Sequence, residues 1–246
     1  MPQRHRNTEI KMPLPFFYKE DIIATATSIV LDEDTSKHIV QVLRMQNGEQ
    51  LQLTDGKGTI FTCEITDNNR KKCNVAVIKT INYQPSTVNI GIAISLIKNS
   101  SRFEWFLEKA TEIGITEIIP LICERTEKIA FKFERIKSIL VSAMLQSQQC
   151  WLPVLHDATK FNQLVVSATH QQKFIAHCID EEKRNLSDLV NGSLSSQVIL
   201  IGPEGDFTKE ETDLAIQHHF IPVSLGNTRL RTETAGIVAA TLLKQC

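Results

Sequence analysis

From residue 89 onward, short apolar runs alternate with amphipathic stretches, and few folds accept that pattern. "NIGIAISLI" (89–97) is apolar at nearly every position, as a strand must be when both faces of its sheet are covered. "ITEIIPLI" (115–122), "HQQKFIAHCI" (170–179), "SSQVILIG" (195–202) and "FIPVSLG" (220–226) read as further strands of the same sheet. Between the first two, "SSRFEWFLEKATEIG" sets Phe103, Phe106, Leu107, Ala110 and Ile113 on one helical face. Ser101 and Glu104 read as a capping box at its start, and Gly114 stops it. Strands that alternate with helices predict an α/β fold, a parallel sheet with helices on both faces.

The first eighty residues differ. "FFY" (16–18) starts a strand, and "DEDTSKHIVQVLRMQNGE" (32–49) is a helix with Asp34 and Thr35 as cap candidates and Ile39, Val42, Leu43 and Met45 at helical spacing. The hairpin signal Asp55-Gly56 with Gly58 lies between two alternating strands, and a third strand follows from 71 to 81. Hairpins with so little helix predict a small β-barrel. "NYQPSTVN" (82–89) is the expected linker, which divides the chain into domains 1–83 and 84–246, with residues 1–11 as an extension.

Composition excludes several classes. With 42% hydrophobic and 22% charged residues the chain has the balance of a soluble globular protein, and no apolar run is long enough to span a bilayer. Net charge is −1, with 11 basic and 10 acidic residues before Gln84 and 16 and 18 after it, so any polyanion site must be a local patch. Six cysteines without a CxxC pair read as reduced thiols of a cytoplasmic protein. The histidines show no metal-ligand spacing, and no metal is expected.

Two loops carry the chemistry. The first is "VILIGPEGDFTKEE", where a strand ends at Ile201 and Gly202-Pro203-Glu204-Gly205 follows, with Thr208 and Glu211 as a capping box. The second is "SLGNTRLRTETAG", again strand, glycine, loop and helix. Ligands of open α/β sheets collect at the carboxyl ends of strands, so two such loops can frame one pocket. Neither loop is a dinucleotide fingerprint or a P-loop.

"IGPEG" followed some twenty residues later by "LGNTRLRTETA" resembles the RsmE family, whose members methylate N3 of one uridine in small-subunit ribosomal RNA and belong to the SPOUT superfamily. The resemblance extends to "SKHIVQVLRMQNGE" and to "KNSSRFEWFLEKATEIGITEIIPLICERT", and covers all but the first residues. It implies a PUA-like barrel joined to a SPOUT domain with a C-terminal trefoil knot near 198–246. It also implies S-adenosylmethionine as cofactor, held by Ile201, Gly202, Pro203, Glu204, Gly205, Leu225, Gly226, Leu230, Arg231 and Thr232. The implied partners are small-subunit ribosomal RNA or the 30S particle and a second copy of the chain.

Uridine N3 must lose a proton before it attacks a sulfonium. Arg231 is the candidate that stabilises the uracil anion. Glu204 is either the base that takes the proton or a residue that orders the loop. Glu233 is otherwise explained as a carboxylate at a helix N-terminus and Thr232 as its N-cap. Arg44, Lys98, Arg102 and Arg125 are the candidate RNA contacts, with Arg4 and Arg6 beside them, whereas Lys109 between Glu108 and Glu112 reads as a surface ion-pair partner. In one place the chain departs from the family pattern, with Leu145 for a glutamate and Gln149 for an arginine. That pair is either a lost ion pair or an altered RNA surface. Two other functions stay open: a SPOUT methyltransferase for a ribose 2′-hydroxyl, which nucleoside analysis separates, and a non-catalytic RNA-binding assembly factor, which would bind no cofactor.

Overall fold

A computed structural model describes residues 14–127, 131–179, 183–190 and 194–245. The candidates Arg4 and Arg6 and the extension 1–11 lie outside these residues. The chain divides into two compact units, residues 1–83 and 84–246.

The first unit contains β1 (Phe16–Tyr18), β2 (Ser28–Val30), a short helix α1 (Glu33–Lys37), β3 (Gln50–Thr54), β4 (Thr59–Asp67) and β5 (Asn74–Asn82). Its five strands pair in the order β1-β3-β4-β5-β2, with β1 parallel to β3 and the other pairs antiparallel. Alternate residues Leu51, Leu53, Phe61, Cys63 and Ile65 turn into one apolar core with Ile39. The helix is capped by Asp32, whose carboxylate accepts from Thr35 N at 2.9 Å, so neither Asp34 nor Thr35 is the cap. After Lys37 the turns widen to a π-type segment, His38–Val42. That extra width rotates the apolar positions out of register: Ile39 and Met45 are buried, but Val42 and Leu43 face solvent.

The second unit is the α/β domain. Its strands are β6 (Asn89–Ser95), β7 (Glu117–Ile122), β8 (Val154–Leu155), β9 (Thr159–Lys160), β10 (Gln172–Ala176), β11 (Arg184–Asn185), β12 (Ser196–Ile201) and β13 (Ile221–Ser224). The helices are α2 (Ser100–Ile113), α3 (Phe133–Gln146), α4 (Phe161–Ser167), α5 (Lys209–Gln217) and α6 (Thr232–Lys244). The sheet order is β11-β13-β10-β12-β6-β7-β8, with β9 beside β7, and the pairings are parallel. Period-two alternation sends Ile92, Ile94, Ile199 and Ile201 to one face with Phe106, Leu107 and Ala240, and Ala93, Val198 and Leu200 to the other with Phe161, Phe207 and Phe220. Both faces are therefore covered, which is why these strands are apolar throughout.

Local signals need two corrections. Asn99, not Ser101, caps α2, accepting from Ser101 N at 3.0 Å. Glu104 is instead engaged by both Nε and Nη2 of Arg135 on α3. Gly114 does end α2, in the left-handed region at φ 89°. Thr208 and Glu211 form the expected capping box at α5.

At the amino ends of the strands, Glu117 lies between two imidazoles, with His156 Nε2 at 2.6 Å and His170 Nε2 at 2.9 Å. Burial pushes its carboxyl up, but the His170 hydrogen bond and the two neighbouring histidines outweigh that and hold it below the ordinary glutamate range. A depressed carboxyl stabilises the fold above its unfolded value near 4.3 and loses that contribution as pH falls through the folded value. Glu117→Gln is therefore expected to flatten the acid side of the stability profile in that window, measured by urea unfolding at stepped pH.

Helix α6 lies against α2 and β6 through Gly236. A Cβ there would stand 2.6 Å from the Phe106 ring and 2.9 Å from Ile94 Cδ1. Gly236→Ala is expected to cost about 1–3 kcal/mol by overpacking, read from the urea midpoint.

Candidate active site at the carboxyl ends of the strands

The carboxyl ends of β10, β12 and β13 open onto two adjoining clefts of about 310 and 370 Å³, which share Ala176, Cys178, Arg229, Leu230 and Ala235. Ile201, Gly202, Pro203 and Glu204 line the first together with Leu230, Arg231 and Thr232. Leu225 and Gly226 line the second. Gly205 stands in the same turn, against Arg125. The two glycine loops, distant in sequence, thus meet at one place.

A buried hydrogen bond joins them. Thr232 Oγ1 donates to the Gly202 carbonyl at 3.0 Å across 30 residues of sequence. Arg231, not Thr232, occupies the cap position of α6, and it makes no side-chain cap bond. Thr232 is the first helical residue, and its hydroxyl reaches back to the other loop instead of capping its own helix. At Gly202 a Cβ would stand 3.1 Å from the Phe207 ring, so a side chain there would press that ring aside by a few tenths of an ångström. Gly226 has φ +131°, a backbone state that side chains disfavour.

The Gly-Pro-Glu-Gly turn is braced from several elements. Arg125, in the loop after β7, donates from Nη1 to the Gly205 carbonyl at 2.7 Å and to that of Phe207 at 3.4 Å. Asp206 takes a left-handed φ of 63°, and its Oδ2 accepts from Cys178 N at 2.7 Å, which closes the wall beside β10. Glu204 Oε1 lies 3.6 Å from Arg102 Nη1, and Arg102 Nε lies 3.7 Å from Glu233 Oε1. Glu233 is buried, with 8% of its side chain exposed, and Glu204 is half exposed. Arg231 is exposed at the cleft rim.

The four basic residues named from sequence sit differently. Arg102 is paired with two carboxylates, and Arg125 holds backbone carbonyls. Lys98 pairs with Glu127 at 2.8 Å, both side chains more than half exposed. Arg44 is exposed in the first unit with φ 57° and has no ion-pair partner among the described residues. Lys109 does bridge Glu108 and Glu112. Gln149 faces inward: its Nε2 donates to the Thr111 and Glu112 carbonyls at 3.0 and 2.9 Å, where α2 ends. Leu145 is half buried.

Sequence reasoning missed Asp206, Cys178, Ala176, Arg229 and Ala235 as lining residues. A signal existed for Asp206 alone, since an aspartate after Pro-Glu-Gly is a residue type that tolerates the left-handed turn. Of the cysteines, Cys63, Cys73, Cys123 and Cys150 are buried and Cys178 is exposed. Burial pushes the Cys63 thiol up to about 11, which keeps it protonated.

Comparison with known proteins follows the same division. A family model described as an RNA methyltransferase domain matches residues 84–244, and one described as an RNA methyltransferase PUA domain matches residues 31–78. The ribosomal RNA small subunit methyltransferase E of Synechocystis is 32% identical over 208 residues, 82% of this chain and 68% of that protein. The protein of the same name from Rickettsia conorii is 28% identical over 227 residues, 90% of this chain and 91% of its own. Among solved structures, one described as a probable rRNA-methyltransferase from Porphyromonas gingivalis superimposes with TM-score 0.86 at 40% identity, covering 95% of this chain and 99% of that one. The ribosomal RNA small subunit methyltransferase E from Neisseria gonorrhoeae, solved bound to S-adenosyl methionine, gives TM-score 0.84 at 27% identity over 94% and 97%. With both of its units matched and the two glycine loops brought together at one cleft, the chain belongs to the RsmE family of RNA methyltransferases.

Proposed function

We propose that this protein transfers a methyl group from S-adenosylmethionine to N3 of a uridine in small-subunit (16S) ribosomal RNA, acting as a homodimer on the RNA or the 30S particle. The observation that carries this reading is the Thr232–Gly202 hydrogen bond, which makes one cleft from two loops. The cleft suits the donor: its volume of about 310 Å³ lies in the range of small-molecule sites. Ile201 to Gly205, Leu225, Gly226 and Leu230 to Thr232 would hold it. The donor, when bound, supplies an electrophilic methyl group on a sulfonium.

The residues of the chain then do three things. The loops align the methyl group with the base, and orientation of this kind contributes up to about 7–11 kcal/mol in favourable cases. Arg231, exposed at the rim, stabilises the uracil anion as N3 loses its proton. Glu204 orders the turn; its ion pair with Arg102 favours that role over proton acceptance. For RNA we assign phosphate contacts to Arg44, which has no competing carboxylate among the described residues, and to Lys98. The exposed pair of Lys98 with Glu127 is worth little, so a phosphate can replace Glu127 at small cost. A trefoil knot in the C-terminal segment is part of the same proposal. It is supported by the path of α6, which leaves β13 beyond β10, binds Gly202 through Thr232 and then lies against β6 and α2.

In vitro methylation of small subunits, followed by nucleoside analysis, tests the reading. N3-methyluridine is the expected product. A ribose 2′-O-methyl product, or no product and no cofactor binding, would replace it with one of the other readings. Arg231→Ala is expected to lower kcat about 10²–10³-fold with S-adenosylmethionine affinity retained. Loss of that affinity would move Arg231 to the donor site. Thr232→Val keeps the shape but leaves the buried Gly202 carbonyl unpaired, and should cost about 1–3 kcal/mol in urea unfolding together with weaker donor binding by calorimetry.

A further inference from the structure

Glu233 is a buried carboxylate in the first turn of α6. Its Oε1 faces Arg102 at 3.7 Å, and its Oε2 is buried with no hydrogen-bond partner among the described residues. Arg102, from the first turn of α2, also faces Glu204 of the Gly-Pro-Glu-Gly turn at 3.6 Å. One guanidinium therefore meets a carboxylate from each of the two loops. Among the described residues no other cation stands within ion-pair distance of Glu233. A buried carboxylate without its cation is unfavourable, and removal of one partner of such a pair costs far more than the pair contributes.

We propose that Arg102 is a positioning residue: it pairs with the buried carboxylate of Glu233 at the start of α6, and through Glu204 it holds the Gly-Pro-Glu-Gly turn in register with that helix. Both walls of the donor cleft thereby keep one arrangement. This rests on the donor reading of the cleft. It also separates Arg102 from the RNA contacts named from sequence. The triad of one guanidinium and two carboxylates carries a net charge of −1, which repels phosphate where a phosphate-binding arginine would attract it.

The test is calorimetry with S-adenosylmethionine on the full chain, with thermal unfolding alongside. Arg102→Ala is expected to weaken binding by about tenfold, a value set between those of exposed and buried pairs. Adding Glu233→Gln to that variant should restore most of the loss, because the uncompensated charge is gone. Arg102→Lys, which keeps the cation, should stay near wild type. Should Arg102→Ala fail to fold, recovery of folding in the double variant supports the proposal and continued failure overturns it. Binding unchanged in Arg102→Ala, or a loss that Glu233→Gln does not repair, also overturns it, and a fall in RNA retention on filters then returns Arg102 to the RNA surface. Absence of heat with the wild type would instead sink the donor reading itself.

Discussion

The strand that ends at Ile201 leaves a carbonyl at Gly202 inside the protein, and a buried carbonyl must find a donor. It finds the hydroxyl of Thr232. Because that donor lies on the first turn of α6, satisfying one orphaned backbone group also brings the last helix to the end of β12 and closes the cleft between two loops. A hydrogen bond of this kind adds only about 0.5–1.5 kcal/mol net, while leaving its acceptor unpaired costs more. Its influence comes from that asymmetry: arrangements in which the two loops part would bury an unsatisfied carbonyl.

Everything else at the site supports this closure. The sheet is buried on both faces, so its strand ends are stiff and their positions are defined by packing rather than by the loops. On that frame the Gly-Pro-Glu-Gly turn is held by Arg125 through two carbonyls, by Asp206 through Cys178 N and by Arg102 through Glu204. A turn gripped from β7, β10 and α2 can present backbone groups to a ligand with little ordering left to do on binding. Glu211 adds to this economy of parts. One of its oxygens completes the capping box of α5, and the other accepts from Glu124 N beside Arg125.

Much of this was legible in the sequence, because much of it is local. The apolar runs became the strands β6, β7, β10, β12 and β13, Gly114 ended α2, and Thr208 with Glu211 capped α5. The misreadings have a common cause. Asp34 and Thr35 were plausible caps, yet Asp32 stands one residue before the first helical turn and has the geometry. Ser101 and Glu104 have the spacing of a box, but Arg135, 31 residues away, takes the glutamate. Val42 and Leu43 fit a 3.6-residue period, and the wider turns after Lys37 break that period. In each case the local pattern allowed two readings equally, and the cap bond, the distant ion pair or the wider turn that decided between them leaves no mark in it.

The arginines show the limit most clearly. In sequence, Arg102 and Arg125 look alike, as basic residues beside strand ends, and both suit a phosphate. In the fold, one is held between carboxylates of two loops and the other is bonded to backbone carbonyls, over separations of 80 residues and more. A guanidinium has five donors in a planar fork, so it can brace several groups at once where a lysine cannot. Composition had already required any polyanion site to be a local patch. With Arg102 held by two carboxylates and Arg125 by backbone carbonyls, neither stands unengaged in the fold, and in sequence a bracing arginine cannot be told from a phosphate-binding one without its distant partners.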